Sequence, residues 1–318
     1  MTKNATTVRV LGCDVAKDTV FIFDTSTGVT KEVNNTAKAL SAVLQRLESQ
    51  AFVVCEATGG HEMALLSAAG VAGLPAHRGD PRKISAFLRS LRSHGKTDPI
   101  DAAGLARYGL ERHDQLTLWQ PTTKTQDHLQ RLVRLRSDLV NDRADYKRRL
   151  KAPGEGPDKR HIAATIKNFT QRIEAIEADI HKLLKTDDHL ANVVKHIEAI
   201  KGCGETTAIM LAGTMPELGQ LTRRQAASLA GLAPHPYKSG KMDAYRHVRG
   251  GRREVKTALF MAALTARRHN PQLRDFANRL AGEGKKPIVV VTAVARKLIT
   301  IINAKLRDAL YDPVQQLS

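Results

Sequence analysis

Three cysteines in 318 residues, Cys13, Cys55 and Cys203, are odd in number and widely separated, and none stands in a C-x-x-C pair. They read as reduced thiols rather than a disulfide framework, and a zinc site is not expected. Long apolar runs are missing too. None approaches the roughly 20 residues that a membrane helix requires, and the opening MTKNATTVRV lacks the apolar core of a secretory signal. A soluble, cytoplasmic protein with no membrane span is therefore expected. Negative charge is the relative shortage: 32 Asp plus Glu face 50 Lys plus Arg, a formal net charge of +18. The excess runs along the chain instead of filling one tail, which points to a polyanion such as nucleic acid, with an anionic membrane surface as the competing partner.

The length allows two or three domains, each with its own core. VRVLGCDVA, TVFIFDT and, after a turn at Gly28, VTKEVNN read as three short strands. Helical composition follows at 36–49, and AFVVCEAT is an apolar, β-branched run expected of a buried central strand. HEMALLSAAG then predicts a helix ending at Gly70, VAGLPAH a fifth strand, and 81–93 a basic helix. This order predicts an α/β domain over residues 1–115.

Residues 116–190 predict a helical arm. Two helical stretches flank the breaker PGEGPD, and in the second Ile162, Ile166, Phe169, Ile173, Ile176, Ile180 and Leu183 recur at spacings alternating 4 and 3. That is a heptad seam, as in a coiled-coil hairpin, which serves either as an internal linker or as an oligomerisation arm. Residues 191–318 predict a mostly α domain. VVKHIEAIKGCGETTAIMLAGTMPEL reads as helix, glycine turn, helix, an arrangement that can present backbone N–H groups to a phosphate. Two short helices flanking the loop APHPYKSGKMDAYRHVRGGRREVK come next. The closing helix PIVVVTAVARKLITIINAKL, opened by Pro287, is assigned to a core because Arg296 and Lys297 interrupt it.

Against the basic background, four acids stand out. Asp14 ends the first strand just after Gly12, Glu56 ends FVVCE, and Asp98 and Asp101 are three apart on one helix face in HGKTDPIDAAGLAR. If that helix crosses the sheet, the four carboxylates meet. Clustered carboxylates repel unless cations neutralise them, and an oxygen-only set suits Mg²⁺ or Mn²⁺. Two such ions can clamp the attacking and leaving oxygens of a phosphoryl transfer. The competing reading makes Asp98 an N-cap with Pro99 at the first helical position and Asp101 a favourable first-turn acid.

Between Arg223 and Lys256 there are nine Lys or Arg against two acids, Asp243 and Glu254. Lys238, Lys241, Arg246, Arg249, Arg252 and Arg253 are the candidate phosphate contacts, and Ser239 sits among them. A serine surrounded by phosphate-binding cations can act as a nucleophile where something takes its proton. No nearby residue is an obvious base by spacing: His235 and His247 are candidates, each read first as a phosphate contact or a satisfied loop histidine, and a Ser-Gly pair in a basic loop is also an ordinary turn.

Together, GCDVAKDTV, VCEATGGHE, HGKTDPIDAAGLAR, AIKGCGETTA, SLAGLAPHPYKSGK and RHVRGGRREVKTALFMAAL resemble the DEDD insertion-sequence transposases, the group numbered one hundred and ten. The resemblance runs over almost the whole chain in order. It implies an RNase H-like (RuvC-type) first domain, a coiled-coil arm and a C-terminal transposase domain. It further implies that Asp14, Glu56, Asp98 and Asp101 bind metal and that Ser239 attacks DNA to form a covalent phosphoserine. A non-coding guide RNA pairing with donor and target DNA, and a homo-oligomer, dimer or tetramer, belong to the same implication. The alternatives are a metal-dependent junction nuclease using water, a sugar-kinase or actin-like ATPase, and a non-catalytic nucleic-acid-binding protein.

Overall fold

A computed structural model describes residues 9–47, 51–91, 97–154, 156–239 and 242–310, with the backbone alone for residues 235–239 and 242–247. The chain divides into two compact units, Met1–Thr122 and Thr123–Ser318.

The first unit is built on a five-stranded sheet of order β3-β2-β1-β4-β5. Its strands are β1 (Arg9–Val15), β2 (Thr19–Asp24), β3 (Val29–Asn34), β4 (Ala51–Glu56) and β5 (Ala76–Gly79). The first three pair antiparallel as consecutive hairpins, whereas β4 runs parallel to both β1 and β5. Parallel strands need crossovers, and helices supply them. α1 (Ala37–Leu44) and α2 (Met63–Val71) cover one face, burying Leu40, Leu44, Leu65 and Leu66 against Leu11, Cys13, Val53 and Cys55. α3 (Pro81–Leu91) and α4 (Asp98–Arg112) cover the other, where Ile84, Phe87, Leu88 and Leu105 meet Val10, Phe52 and Val54. Covered on both faces, β4 can afford no polar residue until Glu56, which is why AFVVC reads as an unbroken apolar run. Mixed α/β with this strand order is consistent with the RNase H-like domain that the resemblance implies.

The seating of α4 rests on one residue of β1. A Cβ on Gly12 would fall 2.1 Å from the Ala102 carbonyl oxygen and 2.2 Å from the Ala106 nitrogen, so helix backbone lies directly on strand backbone. Ala102, Ala106 and Gly109 are spaced four and three apart, which lines small residues along one helix face. A Cβ at Gly109 would likewise come within 2.7 Å of Val10 and 2.8 Å of Val54 side chains.

In the second unit α5 (Lys124–Leu150) and α6 (Pro157–Leu184) form the expected hairpin. Thr123 caps α5 by accepting from the Gln126 N–H, and Pro157 opens α6. Along the heptad seam Ile173, Ile176 and Ile180 are buried, while Ile162, Ile166 and Phe169 are half-buried. The buried end of the seam joins one apolar core with α7 (Asp188–Glu198), α8 (Glu205–Thr214), α9 (Arg223–Leu229), α10 (Arg253–His269), α11 (Pro271–Gly282) and α12 (Pro287–Leu310). By length and composition α12 could cross a membrane. It buries Val290, Val294, Leu298, Ile302 and Leu306 in this core instead, with Lys297 Nζ 4.6 Å from the Phe276 ring centroid, as expected of a core helix interrupted by charge.

Several expected boundaries shift. The fifth strand begins at Ala76 rather than near Val71, and the first helix stops at Leu44 rather than 49. The segment expected as a loop around Ser239 is instead a two-stranded antiparallel hairpin, β6 (Pro234–Ser239) and β7 (Met242–Val248).

Gly12→Ala is expected to lower the stability of the first unit by about 3 kcal/mol, because the atoms in the way are helix backbone and cannot swing aside. Trp119, the single tryptophan, packs on the α2 side of this unit. Its fluorescence should report a lower urea midpoint with an unchanged slope.

Candidate active site

In the parallel pairing of β1 with β4, Cys13 stands opposite Cys55, so Asp14 and Glu56 follow as neighbours where the two strands end. Side chains alternate along a strand, which puts Asp14 on the face of Val10 and Gly12, and Glu56 on the face of Phe52 and Val54. That is the face α4 covers. Because the Ala102 carbonyl rests over Gly12, the first turn of α4 begins beside these strand ends. Asp101 is buried at 8% exposure and Asp98 is exposed.

The cap of α4 is Thr97, in extended backbone, with Asp98 already helical and Pro99 second. Asp98 is therefore not the N-cap, contrary to the competing reading, although both acids still favour the positive end of the helix. The strand ends bearing Asp14 and Glu56 and the helix turn bearing Asp98 and Asp101 thus lie at one edge of one sheet face. The oxygen-only chemistry of these four carboxylates fits a hard divalent cation. Among the described residues, however, no three His, Cys, Asp or Glu side chains stand close enough to form a ready metal cage. Asp14, Glu56 and Asp101 each already take part in other polar or electrostatic contacts.

On the opposite sheet face the thiols of Cys13 and Cys55 are buried, as is that of Cys203 in the second unit. Burial first, then the nearby Cys55 and Asp14, pushes the Cys13 thiol well above its usual range. Burial likewise raises Cys55 to about 12 and Cys203 to about 11.

A residue not singled out from the sequence organises the loop after Glu56. Glu62 is 0% exposed. One carboxylate oxygen accepts from the Thr58 N–H at 3.0 Å, the Thr58 hydroxyl at 3.0 Å and the Gly60 N–H at 2.9 Å. The other accepts from Arg78 Nε at 2.8 Å and Nη2 at 2.5 Å, which ties the loop to β5. Burial alone would push Glu62 upward; hydrogen bonds from backbone N–H groups, Arg78 and Thr58 outweigh it and hold the carboxyl at about 2. Asn35 makes a second tie, its amide donating to the Ala16 carbonyl after Asp14 at 2.9 Å and to the His61 carbonyl after Glu56 at 3.0 Å. The signal in the sequence was a second acid six residues beyond Glu56, in a stretch without Lys or Arg.

Ser239 belongs to the second unit. Its backbone pairs with Met242 at the far end of the hairpin, and Lys238 pairs with Asp243. The side chains of Ser239, Lys238, Arg246, His235 and His247, and all of Lys241, lie outside the described residues. Of the remaining candidate phosphate contacts, Arg249 and Arg253 are exposed. Arg252 is engaged within the protein: its guanidinium donates to both Glu217 oxygens at 2.8 and 2.6 Å and to the Thr214 carbonyl.

Comparisons with known proteins agree along the chain. A family model described as a DEDD transposase of IS110 matches residues 11–153, and a second, described as the transposase IS116/IS110/IS902 family, matches residues 194–278. The pilin gene-inverting protein of Moraxella bovis is 28% identical over 239 residues, 72% of this chain and 71% of the relative. A 42 kDa protein of insertion element IS900 from Mycobacterium paratuberculosis is 27% identical over 310 residues, 73% of this chain and 77% of its own. A 43.6 kDa protein of insertion element IS110 from Streptomyces coelicolor is 30% identical over 152 residues, 47% of this chain and 36% of its own.

Glu62 carries a pH dependence of defined sign. Its folded value, about 2, lies below its ordinary 4.5, so its stabilisation is complete above about pH 5 and is lost as pH falls towards 2. Glu62→Gln should cost about 3 kcal/mol at neutral pH. In urea titrations read by Trp119 fluorescence, the gap between wild type and variant is expected to close through that window.

Proposed function

Because the chain belongs to the transposase family of insertion elements IS110, IS116 and IS902, whose members cleave and transfer DNA strands, we propose that it recombines DNA through a covalent phosphoserine at Ser239, assisted by the acids of the first unit. The observation that carries the acidic half of this reading is the seating of α4 on Gly12, which starts the helix bearing Asp98 and Asp101 beside the strand ends bearing Asp14 and Glu56. Mg²⁺ or Mn²⁺ held by these four carboxylates supplies Lewis-acid polarisation of the phosphate when bound.

The residues of the chain itself account for the rest. Ser239 Oγ attacks phosphorus, the new O–P bond replaces the bond to the leaving strand oxygen, and the hydroxyl proton ends on that oxygen. His235 and His247 flank the serine in sequence as proton carriers. Exposed Arg249 and Arg253, together with Lys238, Lys241 and Arg246, offset the phosphate charge that grows in the transition state. The number of phosphodiester bonds is conserved, so a second strand hydroxyl can reverse the step on a new partner without an external energy source.

Three further assignments extend this reading: domains at 1–115, 116–190 and 191–318, a non-coding guide RNA that selects donor and target DNA, and a dimer or tetramer. A formal net charge of +18 supports a partner that is largely phosphate.

Trapping a reaction on end-labelled DNA should give a protein–DNA adduct that Ser239→Ala abolishes while DNA affinity stays within about twofold, since a hydroxyl adds little to a binding dominated by phosphate charge. Nicking that survives in Ser239→Ala without an adduct would mean that water is the attacker. Asp101→Asn is expected to lower adduct formation by at least about 100-fold, in line with the loss of one transition-state contact. Affinity for DNA should also fall by about 10³-fold or more between 50 and 200 mM salt. A flat response would remove the polyanion premise.

A further inference from the structure

The β6–β7 hairpin leaves the second unit through a crossing of two backbone segments. Gly231 follows the end of α9, with its N–H on the Ser228 carbonyl and the Leu232 N–H on the Ala227 carbonyl. Gly250 and Gly251 return from β7. All three have positive φ, of 68°, 73° and 72°. A Cβ on Gly251 would fall 2.1 Å from the Gly231 nitrogen and 2.3 Å from its Cα, and one on Gly231 would fall 2.3 Å from the Gly250 carbonyl oxygen. No side chain fits between the two segments, and none of these residues can be other than glycine without strain. The Arg252 N–H closes the crossing onto the Leu229 carbonyl at 2.9 Å.

Arg252 then fastens the crossing to the core. Its fork holds Glu217 in a bidentate pair, a geometry that fixes direction as well as distance. The same guanidinium reaches the Thr214 carbonyl at the end of α8. The segment carrying Glu217 is anchored in turn by Asn303 of α12, which is 1% exposed. Asn303 accepts from the Gly219 N–H at 2.9 Å and donates to the Leu221 carbonyl at 2.7 Å. Hydrogen bonds from the core helix α12 thus hold the short segment 219–221, whose neighbour Glu217 in turn holds Arg252 at the base of the hairpin.

We propose that Arg252 is a positioning residue: with Glu217 and the crossing of Gly231 with Gly250 and Gly251, it forms a stiff mount that fixes the direction in which the Ser239 hairpin leaves the second unit. The proposal rests on the reading of Ser239 as nucleophile for its catalytic consequence, but not for its structural one. Arg252 is thereby removed from the set of phosphate ligands. Among its described residues the hairpin has one register shift, between His235 and Tyr237, and pairs from Pro234 with Val248 to Ser239 with Met242, so the direction of its base carries along the strand to Ser239.

The test uses the full-length protein. Glu217→Gln removes no cation, and Arg252→Lys keeps the charge but loses the planar fork. In both, amide hydrogen exchange over residues 234–248 is expected to quicken by about tenfold or more while α12 keeps its wild-type protection. Adduct formation is expected to fall by roughly 100-fold, the usual consequence of a misplaced reacting group. The salt slope of DNA binding should not change. Exchanging the partners, Glu217→Arg with Arg252→Glu, should recover most of the protection and of the adduct. Should Glu217→Gln fail to fold, Arg252→Lys carries the same readouts. Wild-type exchange in the hairpin of the folded single variants overturns the mount. So does a salt slope lowered by about 1 in Arg252→Gln alongside an active Glu217→Gln, since Arg252 would then be a phosphate ligand. If wild type forms no adduct while the variants lose hairpin protection, the serine reading falls and the mount stands.

Discussion

The contact of α4 with β1 at Gly12 is the constraint on which the first unit depends. A helix normally rests on a sheet through side chains, with its axis about 10 Å away, and its carboxylates would then start well clear of the strand ends. Here the Ala102 carbonyl occupies the space of a Cβ. The close approach gives up the burial that large side chains would provide at 12, 102, 106 and 109. Leu105, Tyr108 and Phe87 recover it at the edges, with Tyr108 and Phe87 in an edge-to-face pair 5.1 Å apart and Arg112 above both rings. Apolar packing has been moved outward so that the helix axis can sit low at the first turn, which carries Asp101.

A fully buried carboxylate is also tolerated at the start of α2, in the loop that leaves β4. Removing Glu62 from water is costly unless its lone pairs are filled, and five hydrogen bonds from Thr58, Gly60 and Arg78 fill them. A hydrophobic residue of equal size could pack there. It could not hold the Thr58 and Gly60 N–H groups, and the loop leaving Glu56 would lose its fixed path. The ion pair is better understood as defining a loop conformation than as adding net stability.

Much of this architecture was legible in the sequence because it is written in local periodicity. The three opening strands and the seam from Ile173 to Ile180 follow from spacings of two, three and four, the central strand from the unbroken AFVVC run, and the core role of α12 from the charges that interrupt it. The hairpin at 234–248 was hidden by Pro234, Pro236 and a dense set of cations, which reads as a loop. What made it a hairpin is the glycine crossing at its base, a tertiary feature. Pairings such as Arg252 with Glu217, 35 positions apart, and Asn303 with Gly219, 84 apart, leave no periodic mark. The carboxylates illustrate the boundary best. Their order in the chain and the crossing of α4 were readable, the identity of the cap was misread by one residue, and the distances among side chains depend on how low the helix rides, which only Gly12 hints at.

Charge sets the last condition. Partly buried pairs such as Arg9 with Asp24, Arg136 with Glu177 and Arg252 with Glu217 show that cations also serve the fold. Pairing cannot remove the imbalance, however, since with every acid matched an excess of +18 would still have no acidic partner in the chain. In isolation that excess repels itself and works against compactness; against a phosphate backbone it becomes attraction that grows as salt falls. Two features of the fold then acquire a common purpose. Gly12 in one unit and Gly231 with Gly251 in the other let backbone rest on backbone, and in each case the element so fixed carries a residue proposed for the chemistry. A basic surface can hold a polyanion in many registers. Elements whose direction is set by backbone resting on backbone, fastened where needed by a bidentate pair, can present an acid or a hydroxyl to one phosphate among many.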